Sequence, residues 1–193
     1  MDRVVFLDRD GTINIEKNYL YRKEDFEFIP GAVEAIKLIK EKGFKVVVVS
    51  NQAGVARGYY SEEDVNVLHR YINECLKKEG TMIDEFYFCP HHPVHGKGKY
   101  LCECTCRKPN TGMFEKAAEK FDIDIENSWM IGDNTGDIKA GINFGIKTIL
   151  VATGYGKNVY NEGIVKADYY TADLYSAAQI IVSDGLRNGD RYE

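Results

Sequence analysis

Short apolar runs recur along this chain, and most are followed, directly or after a loop, by a stretch with helical spacing. Val4–Leu7 opens the series. A helix beginning at Pro30-Gly31 and running to about Lys42 puts Val33, Ile36 and Ile39 on one face, and Gly43 ends it. Lys45–Ser50 (KVVVVS) is a second strand. Ser61 and Asp64 form a capping-box start for a helix to about Glu79, with Val65, Leu68, Ile72, Cys75 and Leu76 as its core face. Ile83–Phe88, Trp129–Gly132, Lys147–Ala152 and Asp168–Thr171 read as further strands, and Thr111–Phe121, Gly136–Asn143 and Asp173–Ser183 as helices. This alternation predicts an α/β fold: a Rossmann-like, mostly parallel sheet with helices on both faces. A single domain is expected over residues 1–183, followed by a polar tail, 184–193. The aromatics of Asn14–Glu27 suggest an ordered flap rather than a free linker.

In such a sheet, ligands bind beyond the C-terminal ends of the strands. The first strand runs into Asp8-Arg9-Asp10-Gly11-Thr12. Residues two apart on extended backbone face the same side, so Asp8 and Asp10 share one site. Two such carboxylates repel each other unless a cation sits between them, and a hard ion such as Mg²⁺ suits oxygen ligands. The alternative is an ordinary polar turn. The second strand ends in Ser50-Asn51-Gln52, and a later one in Gly132-Asp133-Asn134 with Asp137 a turn on. Arg107-Lys108-Pro109 precedes the helix leading to that later strand. Carboxylates, a hydroxyl with an amide, and a cationic pair thus converge on one rim.

Phosphoryl transfer uses each part. A phosphate monoester dianion repels a carboxylate nucleophile, so Mg²⁺ and a lysine must offset the charge. Asp8 is the expected nucleophile and Asp10 the acid/base. Lys108 neutralises charge on the phosphoryl group, Ser50 and nearby amides hold its oxygens, and Asp133 completes the Mg²⁺ shell.

The formal charge of −5 argues against a general nucleic-acid surface. The longest aliphatic run, Val46–Val49, is far too short to span a bilayer, and the start shows no signal-peptide pattern. A cytoplasmic protein is expected, acting as a monomer. Five cysteines, an odd number, argue against a disulfide framework, and four of them crowd into residues 89–106. Cys89-Pro90-His91-His92 and Cys102-Glu103-Cys104-Thr105-Cys106 suit a closed structural zinc site. They offer more ligands than a tetrahedral ion can use, with Cys102, His92 and His95 the open cases. Residues 9–49 already hold a flap and a helix, and residues 51–107 a helix, a strand and the metal loop, so neither leaves room for a separate cap domain of at least about 50 residues.

Taken in order, D-x-D-G-T at Asp8–Thr12, Ser50, Lys108 and G-D-x-x-x-D at Gly132–Asp137 resemble the haloacid dehalogenase-like phosphatase superfamily. The resemblance implies that Mg²⁺ meets the main-chain carbonyl of Asp10 rather than its carboxylate. Within that superfamily, the C-P-H-H-P and C-x-C-R-K-P runs resemble the D-glycero-D-manno-heptose 1,7-bisphosphate 7-phosphatases, which hold zinc between them. Matching those runs implies Cys89, His91, Cys104 and Cys106 as zinc ligands and leaves Cys102 spare. It also implies substrate contacts from Glu16, Lys17, Asn18, Tyr19, Ser50, Asn51, Gln52, Ala53, Arg57 and Arg107, and from Asn134, which stands where the family can carry a basic residue. The implied reaction is Mg²⁺-dependent removal of the 7-phosphate of a phosphorylated sugar through an aspartyl-phosphate. The nearest alternative is a histidinol-phosphate phosphatase, which shares the chemistry and a similar zinc loop. A broader sugar-phosphate phosphatase is another. The flap sequence Asn18–Ile29 favours the heptose enzyme.

Overall fold

A computed structural model describes residues 1–189 of the chain. Strands β1 (Val4–Leu7), β2 (Lys45–Asn51), β3 (Glu85–Cys89), β4 (Trp129–Gly132), β5 (Lys147–Val151) and β6 (Tyr169–Thr171) form one parallel sheet in the order β3-β2-β1-β4-β5-β6. The helices are α1 (Ala32–Glu41), α2 (Ala53–Arg57), α3 (Glu62–Lys78), α4 (Gly112–Ala118), α5 (Thr135–Phe144), α6 (Gly156–Glu162) and α7 (Leu174–Gly189). The expected Rossmann-like α/β architecture is the one that forms. In the centre, Leu7 of β1 lies level with Val48 of β2 and Ile131 of β4. The chain builds outward through β2 and β3, then returns to β4 on the other side of β1. That reversal opens a crevice beyond the C-terminal end of β1.

Alternate residues of each strand face opposite layers. Val5, Leu7, Val46, Val48, Ile131 and Ile149 pack against Ile36 and Ile39 of α1, Leu68 and Ile72 of α3, and Ala177 of α7. Val4, Phe6, Val47, Val49 and Met130 pack against Met113 and Phe114 of α4 and Ala140 of α5. Each fully buried aliphatic or aromatic side chain contributes about 1.5–3 kcal/mol, which fixes the strand ends in place. The Ser61 capping box is present, with Asp64 N–H donating to Ser61 Oγ and Ser61 N–H to Asp64 Oδ2.

Several boundaries differ from expectation. The strand expected at Ile83 begins at Glu85, because Asn73 of α3 bonds both the N–H and the C=O of Ile83 and takes that peptide out of the ladder. Helices α2 and α6 carry no periodic signal, being only five and seven residues long. Helix α7 runs on to Gly189, into the stretch expected as a polar tail. A glycine such as Gly185 costs a helix interior only about 1 kcal/mol and need not end it. The rest of that tail, 190–193, lies outside the described residues.

The flap is ordered by its own backbone: Ile15 N–H donates to Glu27 C=O at 3.0 Å, and Ile29 N–H to Ile13 C=O at 2.9 Å. The 89–106 loop is an insertion between β3 and α4. No separate cap domain is evident among the described residues, and no helix of theirs is long and apolar enough to cross a membrane.

Candidate active site

Asp8 leaves the end of β1 with its N–H bonded to Ile131 C=O of β4, at 3.0 Å. Its carboxylate meets the ammonium of Lys108, whose Nζ lies 2.7 Å from Asp8 Oδ1, 2.6 Å from Asp137 Oδ1 and 2.6 Å from Val49 C=O. Three acceptors match its three protons. Asn51 at the end of β2 clamps the backbone of Lys108, accepting from its N–H at 3.0 Å and donating to its C=O at 3.1 Å. The lysine is therefore aimed from two directions. Burial opposes its charge, but Asp137 and Asp8 outweigh that and raise its pKa.

Asp133, after β4, lies against the same cluster and accepts from Tyr155 N–H at 2.8 Å. Carboxylate oxygens of Asp8, Asp133 and Asp137 lie within 4.8 Å of one another. Burial, then the neighbouring carboxylates, push Asp8 up to about 7 and Asp133 up to about 9. Three acids against one ammonium leave excess negative charge in a buried space. A divalent cation with oxygen ligands relieves it, so this donor set fits Mg²⁺.

The carboxylate of Asp10 stands apart from that cluster. It accepts from Arg9 Nη2 at 2.9 Å, Asn14 Nδ2 at 3.0 Å and Gln52 Nε2 at 3.1 Å. Of the expected Mg²⁺ set, the side chains of Asp8 and Asp133 come together, and the third carboxylate is Asp137. Sequence placed Asp137 at the rim but gave it no role.

Two glycines make room for Asp133. A Cβ on Gly154 would sit 2.0 Å from Asp133 Oδ2, and one on Gly11 would sit 2.2 Å away; both glycines have positive φ. Gly154→Ala must therefore displace the carboxylate. Its expected effect is a kcat loss on the order of a hundredfold, with a raised Mg²⁺ half-saturation, measured by titrating activity with the metal.

Asp8, Asp10, Lys108 and Asp137 open into a cleft of about 410 Å³, while Asp133 is buried outside its lining. Among the expected residues, Asp8, Asp10, Glu16, Asn18, Tyr19, Ser50, Asn51, Gln52, Ala53, Arg107, Lys108 and Asn134 line it. Tyr60, Gly136, Asp137 and Tyr155 also line it and were not assigned from sequence. Lys17 turns away, donating to Asp25 C=O and Glu27 Oε2, and Arg57 sits outside the lining with its guanidinium 5.8 Å from the Tyr19 ring. Burial, then Asp10, raise the pKa of Glu16. Asn18 and Tyr19 both hold left-handed backbone, φ 52° and 61°. Such geometry costs about 1–3 kcal/mol per non-glycine residue and clusters at ligand sites.

The 89–106 loop brings Cys89, His91, Cys104 and Cys106 together. Cys106 Sγ lies 3.0 Å from Cys89 Sγ, 3.4 Å from Cys104 Sγ and 3.4 Å from His91 Nδ1. Of the other candidates, Cys102 Sγ donates to Lys99 C=O and His92 Nδ1 accepts from the N–H groups of Val94 and His95, while His95 lies outside the four-residue cluster. Hydrogen bonding from Cys89 pushes the Cys106 thiol down to about 5 against the opposing effect of burial. Three sulfurs and one ring nitrogen make the donor set of a closed zinc site. Arg107 follows at once and donates to His91 C=O at 3.3 Å, so the loop braces the cleft wall.

The HAD-hydrolase-like family profile matches residues 105–177. The D-glycero-beta-D-manno-heptose-1,7-bisphosphate 7-phosphatase of Haemophilus ducreyi is 44% identical over 168 residues, covering 86% of this chain and 91% of the relative. The D-glycero-alpha-D-manno-heptose-1,7-bisphosphate 7-phosphatase of Photorhabdus laumondii is 38% identical, covering 93% and 96%. A solved D,D-heptose 1,7-bisphosphate phosphatase from B. bronchiseptica, complexed with magnesium and phosphate, superposes with a TM-score of 0.84 at 28% identity, covering 94% of this chain and 99% of that one. The chain belongs to the D-glycero-D-manno-heptose-1,7-bisphosphate 7-phosphatase family of HAD-like hydrolases.

Proposed function

We propose that this chain removes the 7-phosphate of D-glycero-D-manno-heptose 1,7-bisphosphate by way of an aspartyl-phosphate on Asp8. The observation that carries the reading is the contact of Asp8 with Lys108 in a polar cleft, with the buried Asp133 carboxylate within 4.8 Å of that of Asp8. A carboxylate oxygen of Asp8 attacks phosphorus in line, and the bond from phosphorus to the sugar oxygen breaks. Asp10 gives that oxygen its proton, then takes one from the water that attacks the aspartyl-phosphate. Inorganic phosphate leaves and Asp8 is regenerated. Lys108 holds Asp8 in place and offsets phosphoryl charge, while Ser50 and the adjacent backbone amides receive the phosphoryl oxygens. Asp8, Asp133 and the main-chain carbonyl of Asp10 would hold Mg²⁺, which supplies further charge neutralisation on the phosphoryl oxygens.

Cys89, His91, Cys104 and Cys106 would hold a structural zinc that fixes Arg107 and Lys108 from outside. Five cysteines, an odd number with three in the proposed zinc set, support a reducing, cytoplasmic setting. Among the described residues no cap covers the cleft, which suits an extended, polar sugar bisphosphate.

The test is Mg²⁺-dependent phosphate release from both anomers of the heptose bisphosphate and from histidinol phosphate. The relatives carry both anomeric names, so both anomers belong in the comparison. The expected kcat/KM favours one or both heptose anomers over histidinol phosphate by more than about tenfold, worth about 1.4 kcal/mol of transition-state binding. The opposite ranking overturns the substrate assignment while leaving the phosphatase chemistry in place.

A further inference from the structure

His69 of α3 is a buried histidine with no part in the chemistry above. Its ring stacks on Phe86 at 4.6 Å with 21° between the planes, and Phe88 meets its edge at 5.9 Å. Two aromatic neighbours thus fix the ring plane. Its Nε2 lies 3.4 Å from Nη1 of Arg9, which is fully buried.

Arg9 stands between the two aspartates of the D-x-D turn, and its own donors are almost all committed. Nη2 reaches Asp10 Oδ2 at 2.9 Å, Leu20 C=O at 2.9 Å and Gln52 Oε1 at 3.3 Å, and Nε reaches Asp10 Oδ1 at 3.3 Å. For Nη1, His69 is the hydrogen-bond partner among the described residues. A guanidinium has only donors, so the facing ring nitrogen must accept. That requires neutral imidazole with its proton on Nδ1. Burial, then the Arg9 charge, lower the pKa of His69 and keep the ring neutral.

We propose that His69 is a positioning residue for the acid/base Asp10, acting through Arg9. Its neutral Nε2 pins the far side of the guanidinium, so that Nη2 and Nε stay on the Asp10 carboxylate. Tyr60 braces the same carboxylate from the other side, its hydroxyl donating to Gln52 Oε1 at 2.7 Å while Gln52 Nε2 donates to Asp10. An acid/base must meet both the leaving oxygen and the later water, so a swing of its carboxylate slows turnover without weakening ground-state binding. The inference rests on Asp10 being the acid/base of the proposed reaction, but not on the identity of the sugar.

The experiment uses p-nitrophenyl phosphate with saturating Mg²⁺, so a wrong heptose assignment leaves it intact. His69→Phe keeps the aromatic stack and removes the acceptor; His69→Leu is a second apolar variant, and His69→Gln places an amide oxygen near the position of Nε2. In the apolar variants that fold by circular dichroism, kcat falls on the order of tenfold to a hundredfold, with KM and Mg²⁺ half-saturation within about twofold of wild type. His69→Gln recovers most of that loss. ¹⁵N shifts of the wild-type imidazole show the neutral, Nδ1-protonated form. Wild-type kcat in a folded apolar variant overturns the inference. So does a folded His69→Gln as slow as His69→Phe, or an Nε2-protonated ring.

Discussion

Asp8→Asn is expected to lower kcat by about 10⁴-fold or more, because the amide cannot attack phosphorus or form the acyl phosphate. The amide also disturbs the aim of Lys108, whose ammonium finds a carboxylate oxygen at 2.7 Å in the wild type. A folded, inactive protein is the required outcome, and the pH dependence of stability separates that from mere damage. Burial, then Asp137, push the Asp8 carboxyl from its ordinary 3.8 up to about 7 in the fold. The folded state therefore holds the proton more tightly than the unfolded chain. Without Mg²⁺, this group makes stability fall as pH rises from about 4 to about 7, since protons leave the unfolded chain first. The substituted amide cannot titrate, so the variant lacks that part of the decline. Melting temperatures across this range, measured without Mg²⁺, should converge or cross in favour of Asp8→Asn near neutral pH. Retained turnover in the variant would end the nucleophile assignment.

Cys106→Ser is expected to lose zinc and a large part of the protein's stability. Cys106 has the most central sulfur of the four-ligand cluster, within 3.4 Å of Cys89, Cys104 and His91. A closed zinc site contributes about 10–16 kcal/mol of apparent binding free energy in isolated zinc-finger peptides. Even a loss of about 4 kcal/mol lowers the melting temperature of a chain this size by roughly 10 °C. Activity should fall with it, because Arg107 and Lys108 follow directly on Cys106. Cys102→Ser is the control: that sulfur meets only the Lys99 carbonyl among its resolved hydrogen bonds and should leave zinc content unchanged. Metal analysis should find about one zinc per wild-type chain. A zinc-free wild-type protein of unchanged stability and activity would refute the structural site.

The strands that carry the cleft were legible because each joins an apolar run to a polar turn. Asp8, Ser50 and Asp133 all sit where such a run ends, and strand-end position is readable from period and composition alone. Asp137 was visible as a rim carboxylate, but only the fold puts it 2.6 Å from Lys108. Tyr155 was not legible, because it serves Asp133 through its backbone N–H and any residue type supplies one. The usable signal there was Gly154, a residue that leaves space rather than making a contact. Lys17 and Arg57 were expected at the substrate from sequence matching. Nothing local in the sequence shows that Lys17 turns to Glu27 or that Arg57 lies over Tyr19. The candidate zinc ligands were crowded beyond choice in the sequence, and the bonds of Cys102 and His92 to loop backbone separate these two from the cluster.

Chemical trapping of the covalent intermediate tests the nucleophile most directly. Wild-type protein is mixed with Mg²⁺ and a phosphate monoester substrate, quenched in acid within one turnover, digested and weighed by mass spectrometry. The expected result is one added phosphoryl group, labile to hydroxylamine, on the peptide containing Asp8 and absent in Asp8→Asn. A phosphoryl group on another residue, or phosphate release at the full rate with no phosphorylated peptide at any quench time, contradicts it.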